Sequence, residues 1–264
     1  MSAAPRRLAT RLALLTVLIG CGGETTEPSG TRSAPAGREA TEPVVAAATP
    51  PEPRRDAPTP APAPADAPVV VFLGDSLTAG LGLAAEEAFP ALVAERLARE
   101  GTPIQPVNAG VSGDTSAGGL RRLPWLLRQD PDVVVVELGA NDALRGQPVA
   151  GIEENLRRIV QSAQTAGARV LLVGLQVPPS YGSEYARQFA EMYPRLAEEL
   201  DVPLLPFLLE GVAGRRELNL ADGLHPNAEG HRRIAELLAP RLIAVLDEGL
   251  RVARPGEAAG AASR

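Results

Sequence analysis

The chain has 264 residues, 26 of them proline, and a formal net charge of −6 at pH 7. This length suits one well-buried domain with extensions or two small domains, and it excludes a large multidomain enzyme. The acidic balance provides no basic surface of the kind that nucleic-acid-binding proteins present, so a nucleic-acid partner is excluded.

The first twenty residues have the pattern of an export signal. Three arginines precede an apolar run over 12–20, which is shorter than a membrane-spanning helix but typical of a signal peptide. The run ends in LIGC, which resembles the lipobox of a bacterial lipoprotein. Cys21 is the only cysteine, so it cannot form an internal disulfide. We predict a lipoprotein signal peptide over 1–20 and a lipid on Cys21 that anchors the exported chain to a bacterial membrane, facing the periplasm. The alternative is an ordinary signal peptide with an incidental cysteine.

Residues 21–67 lack the large apolar side chains that a hydrophobic core needs. They are rich in Pro, Ala, Thr and Glu and end in PTPAPAPADAP. This composition predicts a disordered, partly polyproline II tether. The tail over 251–264 is likewise predicted to be disordered, which leaves one folded domain over 68–250.

Within 68–250, short apolar runs alternate with stretches of helical periodicity. The first and third runs, VVVFL and VVVV, show no polar alternation, so both of their faces should be buried. We predict a flavodoxin-like three-layer α/β/α sandwich around a parallel sheet of about five strands, with ligands outside the carboxyl ends of the strands. The predicted strands are 69–73, 104–108, 132–138, 169–175 and 202–206. The predicted helices are 88–100, 115–128, 152–166, 184–200 and 227–246.

Four polar loops follow predicted strands and should meet at the carboxyl edge of the sheet. They are GDSLTAG with Ser76, NAGVSGDTS with Gly113, ELGAND with Asn141, and ADGLHPNAEGH with Asp222 and His225.

The first and last of these loops carry the residue types of a serine nucleophile and its base. A serine hydroxyl is a weak nucleophile until a base takes its proton, and a third group must orient that base. His225 lies three residues after Asp222, so one loop can present an Asp–His pair to Ser76. The chain has one other histidine, His231, which falls within a predicted helix, where we expect it to be partly exposed; it is the alternative base. As a structural alternative, His225 only leads into a helix that begins at Pro226.

The two middle loops carry groups that can donate hydrogen bonds to a developing oxyanion. A glycine at 113 leaves its backbone N–H accessible, and the Asn141 amide offers two donors without charge. Structural alternatives remain for both loops. SGDTS also suits a turn with a helix N-cap at Asp114 or Thr115, and GAND suits an Asx-turn at a strand end.

Taken in order, the four loops resemble the four motifs of the SGNH hydrolases, also called the GDSL esterase and lipase family. Longer matches such as SGDTSAGGLRRLPWLL and VELGANDALRG resemble its periplasmic thioesterase I, protease I, lysophospholipase L1 and arylesterase branch, and the resemblance covers about 69–246. It implies that Ser76 is the nucleophile, His225 the base and then the acid, and Asp222 the residue that orients His225. It also implies an oxyanion hole formed by the N–H groups of Ser76 and Gly113 and by the side chain of Asn141.

The resemblance implies an enzyme that hydrolyses small acyl esters or thioesters without a metal or cofactor, and we predict a monomer. One departure is Ala140, which stands where the family usually has a second glycine and could narrow the loop near the acyl group. Loops 142–149 and 176–187 are predicted to line the acyl pocket. The alternatives are an O-deacetylase of carbohydrates or cell walls from the same family and, more remotely, a non-catalytic binding lipoprotein. A nucleotide-binding interpretation of AGLGLAA at 79–85 lacks the third glycine of that motif.

Overall fold

A computed structural model describes the backbone of residues 63–252 and the side chains of residues 63–247. Within this range five strands alternate with seven α-helices. The strands are β1 (Val69–Gly74), β2 (Gln105–Gly110), β3 (Val133–Glu137), β4 (Arg169–Val173) and β5 (Leu204–Leu205). The helices are α1 (Ser76–Ala79), α2 (Phe89–Arg99), α3 (Ser116–Leu127), α4 (Ala140–Leu144), α5 (Val149–Thr165), α6 (Ser183–Glu199) and α7 (Ala228–Val252). Short 3₁₀ turns cover Ala85–Glu87, Pro179–Tyr181 and Arg216–Leu218.

All strand pairs are parallel, and the strand order is β2-β1-β3-β4-β5. Helix α2 packs against α7, whereas α3 packs against α5 and α5 against α6, so helices cover both faces of the sheet. This order is that of the flavodoxin-like fold, and its direction reverses between β1 and β3. The predicted three-layer α/β/α fold is therefore confirmed, and the loops after β1 and β3 lie at the position where such sheets bind ligands.

The two central strands are buried on both faces. In β1 the side chains of Val70, Val71, Phe72 and Leu73 are completely buried, and β3 is buried throughout. The uninterrupted apolar runs predicted that both faces of the sheet are covered, and the burial of these two strands confirms it.

The edge strand β5 is shorter than the predicted 202–206. Only Leu204 and Leu205 pair with β4. Prolines at 203 and 206 flank them, and a proline has no N–H to donate to a neighbouring strand. The Pro203 carbonyl still accepts a hydrogen bond from the Leu172 N–H at 2.9 Å.

His231 lies in α7 as predicted, but its side chain is buried and not partly exposed. The Phe89 N–H donates to His231 Nδ1 at 3.1 Å, and the two rings stack with centroids 6.0 Å apart. Phe89 begins α2, and Ala88 before it has no side chain that could cap this helix. Burial lowers the pKa of His231 to about 4, so the ring is neutral and accepts the N–H at neutral pH. His231 therefore caps α2 and does not face Ser76.

Some predictions from the sequence fall wholly or partly outside the described residues. The signal peptide, Cys21 and most of the tether lie there, so the predicted domain boundaries stay predictions. The last residues of the predicted tether, just before β1, are described: the carbonyls of Ala65 and Ala67 accept hydrogen bonds from the Gln105 side chain at 3.0 and 2.8 Å.

Among residues 63–252, no helix combines the length and apolar character needed to cross a bilayer.

The end of β2 lies directly against α1 at Gly110. A Cβ atom at this position would overlap the backbone of Ala79, which has no freedom to move aside. By contrast, a Cβ at Gly151 in α5 would meet no atom within 4 Å. The two glycines therefore provide a matched pair of substitutions.

Gly110→Ala is expected to lower the free energy of unfolding by about 1–3 kcal/mol, because the added methyl group overpacks the contact with α1. Gly151→Ala should instead raise it by about 0.5–1 kcal/mol, since alanine favours a helix more than glycine does. Thermal unfolding of the two variants and the parent measures both effects. Equal stability of the two variants would show that Gly110 does not lie in close contact with the backbone of Ala79.

Candidate active site

Ser76 lies where the central strand β1 passes directly into a short helix. It is the first residue of α1, and the side chain of Asp75 before it accepts a hydrogen bond from the Leu77 N–H at 3.0 Å. This cap starts the helix immediately after the strand. Ser76 is thereby held at the carboxyl edge of the sheet, with 9 % of its surface exposed.

The loop between β5 and α7 brings a carboxylate and an imidazole to Ser76. Asp222 Oδ1 accepts hydrogen bonds from the backbone N–H groups of Leu224 and His225 at 2.9 and 3.0 Å. Its other oxygen, Oδ2, lies 2.6 Å from His225 Nδ1, and His225 Nε2 lies 2.9 Å from Ser76 Oγ. The structure thus brings Asp222, His225 and Ser76 into one hydrogen-bonded chain with the geometry of a serine hydrolase triad.

The start of α7 differs from the alternative considered for this loop. Asn227, not Pro226, precedes the helix, and its Oδ1 accepts the N–H groups of Glu229 and Gly230 at 3.0 and 3.1 Å. Pro226 instead pairs with Asn219 in an isolated antiparallel bridge. The His225 backbone is therefore held by the Asp222 loop and by this bridge, ahead of the helix.

The Asp222 carboxylate is strongly stabilised in its charged form. The hydrogen bond from the His225 side chain, followed by the two backbone N–H donors, lowers the pKa of Asp222 to about 2. Asp222 is therefore ionised at neutral pH. A carboxylate at this position fixes the imidazole with its proton on Nδ1 and its Nε2 lone pair towards the serine hydroxyl.

Gly113 and Asn141 come to the same edge from the loops after β2 and β3. Gly113 has a φ of +79° in a turn, and its carbonyl accepts a hydrogen bond from Arg145 Nη2 at 2.9 Å. Asn141 Nδ2 donates to Asp75 Oδ2 at 2.9 Å, so its amide lies beside the residue that precedes Ser76. Within the described part of the chain, the N–H groups of Ser76 and Gly113 have no acceptor. Both are therefore available to bind an oxygen atom.

The structural alternatives for these two loops have different outcomes. Thr115 caps α3, because its Oγ1 accepts the Gly118 N–H at 3.1 Å, so the predicted turn and N-cap are present alongside Gly113. Asn141 lies within α4 and not in an Asx-turn, so that alternative is wrong.

The profile of the GDSL-like Lipase/Acylhydrolase family matches residues 72–233, which include all five candidate site residues. The chain belongs to this family. It is 45 % identical over 177 residues to Esterase TesA of Pseudomonas aeruginosa, covering 67 % of this chain and 88 % of the relative. It is 44 % identical over 177 residues to Thioesterase 1/protease 1/lysophospholipase L1 of Escherichia coli strain K12, covering 67 % and 84 %. A crystal structure of TesA matches with a TM-score of 0.65 and 44 % identity, covering 67 % of this chain and 99 % of that one. The family predicted from the four motifs is confirmed, and so is an SGNH-type hydrolase that acts on ester bonds.

The structure explains why this family member accommodates Ala140 in its GAND motif. Gly139 has a φ of +123°, and a Cβ there would lie 2.7 Å from the Tyr193 hydroxyl, so this first glycine is required. Ala140 begins α4 and packs partly against the core. Its methyl group is therefore accommodated by the helix, and its effect on acyl-chain length stays a prediction.

The loops that were predicted to line the acyl pocket contact each other. The Tyr185 hydroxyl donates to the Gln147 carbonyl at 2.6 Å. Asp142, at the start of the first loop, is buried and accepts the N–H and the hydroxyl of Ser116, both at 2.7 Å. Asp142 thus fixes α4 to α3, and the acyl-binding role of the two loops stays a prediction.

Two buried carboxyl groups, those of Glu137 and Asp75, lie close to Ser76, and the sequence predicted a role for neither. Glu137 Oε2 accepts hydrogen bonds from Thr78 Oγ1 at 2.7 Å and from the Asp75 N–H at 3.3 Å. Burial raises the pKa of Glu137 well above its usual range, and burial also raises the pKa of Asp75 to about 6 against the opposing hydrogen bonds from Leu77 and Asn141. The one available signal was a glutamate that ends the otherwise apolar run VVVVE. Among the described residues, no three His, Cys, Asp or Glu side chains form a metal-binding group.

The raised pKa of Asp75 predicts a pH-dependent stability. The folded state binds this proton more tightly than the unfolded state, so the carboxyl group favours folding at low pH, and this contribution falls as the pH rises from about 4 to about 6. Asp75→Asn has the same shape and cannot ionise. We expect the melting temperature of the parent to fall relative to that of Asp75→Asn between pH 4.5 and 7.5. A constant difference across this range would show that Asp75 is not perturbed.

Proposed function

We propose that this protein is a serine esterase and thioesterase that cleaves small acyl substrates through an acyl-enzyme on Ser76. The observation that carries the proposal is the hydrogen-bonded chain from Asp222 through His225 to Ser76, with distances of 2.6 and 2.9 Å. The N–H groups of Ser76 and Gly113, which have no acceptor among residues 63–252, and the amide of Asn141 support it, because they lie on loops at the same edge of the sheet.

The proposed reaction has two matching halves. Ser76 Oγ attacks the carbonyl carbon while His225 Nε2 takes the hydroxyl proton, and the electron pair of the carbonyl moves to its oxygen. That oxyanion accepts hydrogen bonds from Ser76 N–H, Gly113 N–H and the Asn141 amide. When the intermediate collapses, the bond to the leaving alcohol or thiol breaks, and His225 donates the proton to it. Water then attacks the acyl-enzyme with His225 again as base, and the carboxylic acid leaves with Ser76 restored.

Apolar side chains around this edge support a substrate with an acyl chain longer than acetyl. Each lies in a segment that follows a strand, so each is expected at the carboxyl edge of the sheet, where ligands of this fold bind. These exposed side chains are Leu81, Val111, Leu144, Tyr181 and Leu224. Relatives that are named for esterase, thioesterase and lysophospholipase activities support both oxygen and sulfur leaving groups.

The proposal includes a lipid anchor on Cys21 that holds a monomeric enzyme at a bacterial membrane, facing the periplasm. The apolar run 12–20 followed by LIGC supports it. A flexible tether over 22–67 would span roughly 40 Å, which gives the domain access to substrates near the membrane. Labelling with a radioactive fatty acid tests the anchor, and Cys21→Ser should abolish the label. Equal labelling of both proteins would contradict lipid attachment at this residue.

Hydrolysis of p-nitrophenyl esters from acetyl to palmitoyl tests the reaction, with Ser76→Ala measured beside the parent. Activity that is greatest on medium or long chains and absent in the variant is the expected result. Activity on acetyl esters alone would favour the O-deacetylase. A complete lack of hydrolysis would contradict the proposal and favour a binding lipoprotein.

A further inference from the structure

Arg122 on α3 contacts the ends of β1 and β2 and the loop that carries Gly113. Its Nη2 donates to the Gly74 carbonyl at 2.9 Å, and its Nη1 donates to the Ala109 carbonyl at 2.6 Å. Its Nε donates to Asp114 Oδ2 at 2.7 Å, and both side chains of this ion pair are mostly buried, with 23 % and 12 % of their surfaces exposed. One guanidinium group therefore joins three acceptors on three different segments.

Two of these acceptors lie close in sequence to the residues whose N–H groups face the proposed oxyanion. Gly74 is two residues before Ser76, and Asp114 directly follows Gly113. The ladder between β1 and β2 ends at the Gly74–Gly110 pair, and one further backbone bond, from the Val111 N–H to the Gly74 carbonyl at 3.1 Å, reaches the loop after β2. The Arg122 side chain lies at this point and joins β1 and β2 where their backbone pairing ends.

Gly118 on α3 leaves space for the Asp114 carboxylate that Arg122 binds. A Cβ atom at this position would overlap Oδ1 of Asp114, so only a glycine lets the carboxylate lie against α3. The same Oδ1 accepts the Thr115 N–H at 2.9 Å. The Asp114 carboxylate thus receives donors at both oxygens, one of them from Arg122, and the turn that contains Gly113 is held from its C-terminal side.

We propose that Arg122 is a positioning residue for ester hydrolysis, which sets the separation between the Ser76 and Gly113 N–H groups. This inference rests on the proposed function. Arg122 acts through the end of β1, which leads into Ser76, and through the end of β2 and the turn that contains Gly113, and it does not contact the substrate. A guanidinium group suits this role because its donors lie in one rigid plane, whereas a lysine ammonium is a single point charge.

The neighbouring Arg121 provides a matched control. It lies on the same helix, its side chain is exposed, and it forms no ion pair within the described part of the chain. Arg121→Ala and Arg122→Ala therefore remove the same side chain from adjacent positions, and only the second removes contacts to the site loops.

Steady-state hydrolysis of a p-nitrophenyl ester tests the inference. In Arg122→Ala we expect kcat to fall about 10²-fold while KM changes little, because misplaced donors weaken binding of the transition state more than binding of the substrate. Arg121→Ala should retain the parental kcat. Arg122→Lys, which keeps the positive charge, should fold even if the alanine variant does not, and its kcat should also fall.

Added guanidinium ion separates positioning from a loss of stability. At millimolar concentration it should restore part of the kcat of Arg122→Ala by occupying the vacated site, whereas general destabilisation would not be relieved by a denaturant. Unchanged kcat in Arg122→Ala and Arg122→Lys, or a loss in Arg122→Ala that guanidinium leaves unrestored, would overturn the inference. Ser76→Ala is measured in parallel, because activity in that variant would overturn the proposed function itself.

Discussion

Replacing Ser76 with alanine is expected to lower kcat for ester hydrolysis by about 10³-fold or more and to leave the folded structure intact. The substitution removes the hydroxyl that lies 2.9 Å from His225 Nε2. Alanine suits this first position of α1 because it favours helices, and the Asp75 cap is untouched. Steady-state rates and the far-UV circular dichroism spectrum of the variant measure the two parts of the prediction.

His225→Ala is the matched variant for the same chain of hydrogen bonds. It should lower kcat by a similar factor, and the double variant should be little worse than either single one, because the two groups act as a unit. Full activity in either single variant would contradict the triad.

Asn141→Ala is expected to lower kcat by about 10²–10³-fold, which corresponds to about 3–4 kcal/mol of lost transition-state stabilisation. The Asn141 amide has two N–H groups. One is bonded to Asp75 Oδ2 at 2.9 Å, which fixes the orientation of the amide and leaves the other for the oxyanion. Kinetics on the same ester panel will show whether the loss falls on kcat.

Asn141→Asp gives an independent check at the same position. It keeps the size of the side chain, offers no donor, and places a second carboxylate beside Asp75. The loss of kcat should therefore be at least as large as in the alanine variant. A change in either variant that is confined to KM would show that Asn141 binds the substrate equally in the ground state and the transition state, and the oxyanion role would be wrong.

The sequence predicted the fold well because the information for it is local. The runs in β1 and β3 are apolar at every position, which requires cover on both faces whatever the rest of the chain does. Parallel pairing then brings the carboxyl ends of all strands to one edge, so the four motif loops had to approach one another. The short length of β5 could also have been predicted, because the sequence shows a proline on each side of Leu204 and Leu205.

Other features depend on tertiary contacts that no local pattern records. His231 looks like a half-exposed helix residue until α2 packs over it and its backbone N–H reaches the ring. Arg122 lies in a stretch of arginines and leucines, and two of its acceptors are backbone carbonyls, which any sequence has. Asp75 belongs to a recognised motif, but its raised pKa follows from its burial, which the sequence does not show.

The nucleophile and its base belong to parts of the molecule with very different burial. Ser76 follows a strand whose core residues are completely inaccessible, whereas residues 221–224, directly before His225, lie exposed on the surface. Segments with little buried surface open locally at a lower free energy than the central strands of a sheet. Opening of this loop would separate the imidazole from the serine while the sheet stays intact. Heat or denaturant should therefore inactivate the enzyme through local unfolding before the global transition, and hydrogen exchange should be faster in this loop than in β1.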